Sequence, residues 1–114
     1  YPQKWTLIKM TSQIPNSERT GESMEWQEYY LLKSDGTFVK RRERDGIKYD
    51  ASGKFQYITI TDGTLLELTH DTKNQIIGNC YSNQTEQLYL KSADKLVGTW
   101  QMCDGPRLEY ERKE

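Results

Sequence analysis

Two stretches of this chain nearly repeat one another, Ser34-Asp35-Gly36-Thr37-Phe38 and Thr61-Asp62-Gly63-Thr64-Leu65. Each Asp-Gly pair lies between runs rich in β-branched and aromatic residues, which is a strong hairpin signal. Further turn signals follow at Asp45-Gly46, Ser52-Gly53, Asn83-Gln84, Ala93-Asp94 and Asp104-Gly105-Pro106. No segment between them has the 3.6-residue period of an amphipathic helix. The spacing predicts an all-β, antiparallel up-and-down meander of about eight or nine strands that closes into a small barrel.

Strands are expected over Trp5 to Met10, Met24 to Lys33, Thr37 to Arg44, Phe55 to Ile60, Thr64 to His70, Gln75 to Tyr81, Glu86 to Lys91, Lys95 to Met102 and Arg107 to Arg112. Thr11 to Ser23 reads as a polar loop, and Asp45 to Ser52 as a loop or short edge piece. No proline falls inside these strands, as paired strands require. Nothing resembles a linker or a second domain, so residues 1–114 form a single domain.

Turn length decides which side chains share a face. A three-residue loop Ser34-Asp35-Gly36, with Gly36 left-handed, sets Leu32 opposite Phe38, Tyr30 opposite Lys40 and Glu28 opposite Arg42. Trp26, Tyr30, Leu32 and Phe38 then lie on one face, whereas a two-residue turn would divide them. The same loop in the second hairpin groups Ile58, Ile60, Leu66 and Leu68. The face so formed also carries Glu28 and Arg42. Two readings apply to that pair: a half-solvated ion pair near the barrel's end, or a polar anchor inside a cavity.

Net charge is −1, so no overall field favours nucleic acid. The basic run Lys40-Arg41-Arg42-Glu43-Arg44 alternates between strand faces and reads as a solvated edge. Hydrophobic content of 34% is low for a globular domain, and suits sheets with one wet face. No apolar run approaches the roughly 18 residues of a membrane span. The chain begins at Tyr1 without an initiator Met. That start suggests a mature exported protein, periplasmic, cell-surface or secreted, and is compatible with a lipid anchor upstream. Cys80 and Cys103 allow one bridge, the natural inference after export; two buried thiols are the alternative. Parallel next-nearest strands would hold the two Cα atoms nearly 10 Å apart, so a bridge requires the chain to bend at Cys103-Asp104-Gly105-Pro106.

The run Leu96-Val97-Gly98-Thr99-Trp100 resembles the Gly-x-Trp strand of lipocalins and small lipocalin-like bacterial barrels. Trp26-Gln27-Glu28-Tyr29-Tyr30 through Phe38, and Cys103 through Arg112, are similar to a lipocalin-like domain of exported bacterial proteins. In lipocalins the Gly-x-Trp strand comes first, and an Arg from the last strand packs across its Trp. Here Trp5 lies in the first strand with Gln3 in place of the Gly, and Arg112 would cover Trp5 if the last strand closes on the first. The resemblance implies a small barrel with an apolar-ligand cavity.

No catalytic set stands out. His70 is the sole histidine and reads as a surface residue at a strand end. With Asp71, Cys80 and Cys103 it matches no structural-zinc spacing. Glu25 and Glu28 point to opposite faces, and Glu109 and Glu111 share the wet one, so neither pair suits glycoside hydrolysis. Asn83-Gln84-Thr85 reads as a turn. No enzyme activity, cofactor or metal is expected. The leading expectation is a binding module for a small apolar or amphipathic ligand. Trp26, Tyr30, Phe38, Ile58, Ile60, Leu66 and Leu68 would line its cavity, with Glu28 and Arg42 as polar anchors. The alternative is a filled barrel that binds protein or glycan through an outer face bearing Tyr29, Tyr57, Tyr81 and Tyr89. Interior volume separates the two.

Overall fold

A computed structural model describes residues 1–80, 83–103 and 105–113, with Lys113 described for its backbone alone. Tyr81, and Asp104 in the expected bend, lie outside the described residues. The strands are β1 (Gln3–Thr11), β2 (Glu18–Thr20), β3 (Gln27–Leu32), β4 (Thr37–Arg44), β5 (Ile47–Ile60), β6 (Gly63–His70), β7 (Thr85–Ser92), β8 (Lys95–Gly98) and β9 (Arg107–Lys113). Two 3₁₀ turns, Gly21–Ser23 and Trp100–Cys103, are the helical elements among the described residues.

From β3 to β9 each strand pairs antiparallel with the next, β1 pairs with β3, and β9 pairs back onto β1, so eight strands close into a barrel with β2 as an extra strand on β1. One edge of β1 is shared: Gln3 to Thr6 pair with β3, and Lys9 to Thr11 pair with β2. Closure removes most of the exposed edge that an open sheet of this size would leave. It also sets Trp5 opposite Arg112, whose guanidinium lies 5.7 Å from the indole ring centre.

The first hairpin has the expected register. Leu32 faces Phe38 and Glu28 faces Arg42, Lys33 N–H donates to the Thr37 carbonyl, and Gly36 sits at φ +85°. The second hairpin does not follow it. Ile60 pairs with Gly63, Ile58 with Leu65 and Tyr57 with Leu66, so the turn is the two-residue Thr61-Asp62. Leu66 and Leu68 face inward, and Ile58 and Ile60 fall on the outer face, where both are half-buried. Phe55 and Tyr57, rather than the two isoleucines, share the face of Leu68 and Leu66.

Three expected boundaries are corrected. Asp45 to Ser52 is not a loop: Asp45 and Gly46, both at positive φ, make a two-residue turn, and β5 runs unbroken for 14 residues from Ile47. The strand expected from Gln75 is absent, since the described part of this segment is irregular. The strand beginning at Lys95 stops at Gly98, and the chain turns through Trp100–Cys103. That turn supplies the bend the disulfide needs, and Cys80 and Cys103 are bridged with Cα atoms 5.7 Å apart.

The barrel ends differ. At the hairpin end are the tight turns at residues 34–36, 61–62 and 93–94, together with both chain termini. At the loop end are the Asp45-Gly46 turn and three longer connections, of which β6–β7 and β8–β9 are joined by the disulfide.

Candidate functional site

The inward positions of β3, β4, β6 and β7 bring together most of the residues expected around a cavity. Glu28, Tyr30, Phe38, Arg42, Leu66 and Leu68 are all buried in the barrel, and Trp26 is buried at its loop end. The grooves found among the described residues are lined by other side chains. Phe38, Leu66 and Leu68 pack in one apolar cluster with Trp5, Leu32, Leu88 and Tyr110, as the side chains of a small eight-stranded barrel are able to do.

The loop half of the interior is ionic. Glu28, Lys40, Arg42, His70 and Glu86 are each at most 7% exposed. Arg42 Nε donates to Glu28 Oε1 at 2.6 Å, and the Tyr110 hydroxyl donates to Glu28 Oε2. Lys40 Nζ bonds both oxygens of Glu86, at 3.2 and 3.0 Å, and lies 3.9 Å from Glu28. Glu86 also accepts from the Tyr30 hydroxyl at 2.9 Å and from His70 Nε2 at 2.6 Å. Two cations thus balance two carboxylates, and the remaining lone pairs go to phenols and an imidazole. Buried ions are tolerated on these terms.

The cluster has a structural task. The β6–β7 connection folds into the loop end, with Ile76 2% exposed. Its main chain carries polar groups into a dry site, where each needs a partner. Lys40 Nζ donates to the Ile76 carbonyl at 2.5 Å, with Arg42 at 3.5 Å, and Gly78 N–H donates to Glu86 at 2.9 Å. Ile76 N–H donates to Asn74 Oδ1, which turns the Asn74 amide nitrogen toward His70 Nδ1, 3.1 Å away. Nδ1 is therefore an acceptor, and the proton on Nε2 faces Glu86.

Burial pushes the Glu86 carboxyl up, but Lys40, then His70 and the Gly78 N–H, outweigh it and hold it at about 2. Burial, reinforced by the neighbouring carboxylates, raises the Tyr30 and Tyr110 hydroxyls well above their ordinary range. Below the cluster Trp100 is gripped between two glycines. A Cβ on Gly105 would come within 2.3 Å of its ring and one on Gly78 within 3.0 Å. Trp26 lies beside Trp100, with the Arg42 guanidinium 4.2 Å from its ring centre.

His70 is thus not a surface residue, Lys40 and Arg42 are not a solvated edge, and the Glu28–Arg42 pair is not half in water. Sequence parity carried the signal for His70 and Glu86. His70 is in step with Leu66 and Leu68, and Glu86 with Leu88, so all face inward.

Outside, the tyrosines do not form one face. Tyr29 on β3 and Tyr89 on β7 lie four strands apart in a ring of eight, on opposite sides of the barrel. Tyr57 points inward at the hairpin end, where its hydroxyl donates to Gln3 Oε1 at 3.0 Å. Tyr89 belongs to an apolar row, Ile58–Leu65–Tyr89–Val97, that crosses four adjacent strands of the outer wall. A groove of about 460 Å³ runs along this wall, with Tyr89 and Val97 flanked by Asp62, Lys91, Gln101 and Arg107. No family model, curated protein or solved structure matches the chain.

Proposed function

We propose that the chain is an exported, lipocalin-like barrel acting as a non-catalytic binding module, with its recognition surface on the outer wall of β5–β8. The filled interior carries this reading, because ligand entry would mean displacing Ile76 and breaking the Lys40–Glu86 network. The closure of β9 on β1, with Arg112 over Trp5, supports the lipocalin-like assignment. The disulfide supports export.

The outer groove offers an exposed aromatic ring beside an apolar floor, rimmed by an amide, a carboxylate and two cations. Such a surface suits a glycan, whose ring presents C–H groups to Tyr89 and hydroxyls to Gln101, Asp62 and Arg107. The test has two arms. A fluorescent apolar probe, titrated while tryptophan emission is followed, is expected to leave the buried Trp5 and Trp26 unperturbed. Screening against an oligosaccharide panel is expected to yield a ligand whose binding Tyr89→Ala abolishes. Saturable, stoichiometric probe uptake that perturbs tryptophan emission would restore the interior as the site.

A further inference from the structure

Strand β5 is longer than its neighbour β6, and the mismatch leaves a free edge. β6 pairs with β5 only from Gly53 to Ile60, whereas β4 pairs with it from Ile47 to Lys54. Residues 47–52 therefore have β4 on one side and, among the described residues, no strand on the other. The Asp45-Gly46 turn is of the two-residue type with both φ positive, so its closing pair Arg44–Ile47 exchanges both main-chain hydrogen bonds. Alternation then turns Tyr49 and Ala51 toward β4, and Lys48, Asp50 and Ser52 toward the free edge. Two observed bonds agree. Phe55 N–H reaches Gly36 across β4's end, and the Ser52 carbonyl accepts from Asp71 on the β6 side. Among the described residues nothing bonds the main-chain groups of Lys48 or Asp50. Beside them runs a groove of about 400 Å³, lined by Lys48, Tyr49, Asp50, Asn74, Gln75 and Ile76.

An exposed strand edge is a template for another strand, and the sequence of this one is complementary to itself. In an antiparallel pairing of two copies about a two-fold axis at Tyr49, Lys48 of each copy faces Asp50 of the other. Ile47 faces Ala51, and the two Tyr49 residues face each other across the axis. The Lys48–Asp50 pairs fall on the hydrogen-bonded positions, so the charge pairing and the main-chain pairing require the same register. Shifting the axis by one residue, to Lys48 or Asp50, would place like charges directly opposite. Ile47, 54% exposed in the single chain, would gain an apolar neighbour. Asp50 is already held by Arg41 at 2.6 Å, which fixes its carboxylate on the outer side of the edge.

From this geometry we propose that the free edge of β5 is a homodimer interface, in which residues 47–51 of two copies pair antiparallel and join the two barrels into one continuous sheet. The interface is isologous, as a two-fold dimer requires. It involves none of the residues placed in the outer groove and is independent of what that groove binds.

The experiment is sedimentation velocity on the full chain from about 10 µM to 1 mM, spanning the weak end of specific association. Wild type is expected to shift from monomer to dimer across this range. Lys48→Asp and Asp50→Lys each set like charges opposite one another twice, and each is expected to weaken dimerisation about tenfold or more. An equimolar mixture of the two variants is expected to dimerise again, because one chain then carries carboxylates at both positions and the other ammonium groups at both. Register is read separately: Tyr49→Cys should cross-link to itself under mild oxidation, and Ile47→Cys should not. A wild type that stays monomeric at the highest concentration overturns the proposal. So does a dimer indifferent to both charge changes, a mixture that fails to associate, or a cross-link at residue 47 in place of 49.

Discussion

Toward the hairpin end the barrel is filled by Leu32, Leu66, Leu88 and Leu96, none more than 2% exposed; toward the loop end it is filled by Glu28, Lys40, Arg42, His70 and Glu86, at 7% or less. The two halves are comparably dry and differ in what closes them. Tight turns close the first. The second is closed by an irregular segment whose Ile76 carbonyl and Gly78 N–H are carried inward. Aliphatic side chains cannot satisfy those groups, and ions can. The ionic half therefore exists to hold a loop, and the aliphatic half to hold strands together.

The largest break in this comparison should come from Lys40→Met. It strips Glu86 and the Ile76 carbonyl of their cation, and is expected to cost about 3–5 kcal/mol in urea unfolding. A loss below 1 kcal/mol would mean that the cluster does not hold the loop. Leu66→Ala in the other half should cost about 3 kcal/mol through the cavity it leaves, with the same loss at pH 7 and pH 3.

Acid separates the halves further. The Glu86 carboxyl is held at about 2 in the fold against an ordinary 4.5. Its contribution is thus present above pH 4.5 and is lost as pH falls from there toward 2, by about 3 kcal/mol in all. Unfolding midpoints measured across that window should fall in wild type. The Lys40→Met penalty should shrink in the same window.

Two glycines give the finest test. Gly105→Ala drives a methyl into the Trp100 ring and should cost about 2 kcal/mol. Gly36→Ala, at the hairpin end, meets open space and bears only the strain of its positive φ, about 1 kcal/mol. Equal melting temperatures for the two variants would remove the distinction between the ends.

What the sequence disclosed follows the same division. Tight turns and strand parity are local, so the first hairpin and the Glu28–Arg42 contact could be read from residue order, whereas Arg112 over Trp5 was an expectation carried by the lipocalin resemblance alone. The second hairpin departs from the register expected of it: Thr61-Asp62-Gly63 copies the first motif but closes as a two-residue turn. Whether Gly63 belongs to the turn or to the strand is set by how whole strands pair, a tertiary question. The alternation Ile47-Lys48-Tyr49-Asp50-Ala51 was itself a strand signal, masked by its charges. The fold of the β6–β7 connection was not legible, because the groups that hold it, Lys40, Arg42 and Glu86, lie on other strands. Its hydrophobic Ile76-Ile77 reads locally as a strand. The candidate site suffered most: seven of the nine expected cavity residues are interior, yet parity assigns a face and says nothing about whether space remains within it.

The pairing of β9 with β1 has a kinetic consequence. Its partners, such as Trp5 and Arg112, are separated by nearly the whole chain. During synthesis the central hairpins can form as they emerge and β1 can pair with β2 and β3, but its other edge stays open until β9 is made. Contacts of such long sequence separation slow folding, and until closure the nascent sheet presents β1 and β8 as unpaired edges. A chain cut before Arg107 should keep its hairpins and aggregate through the two edges that β9 would have joined.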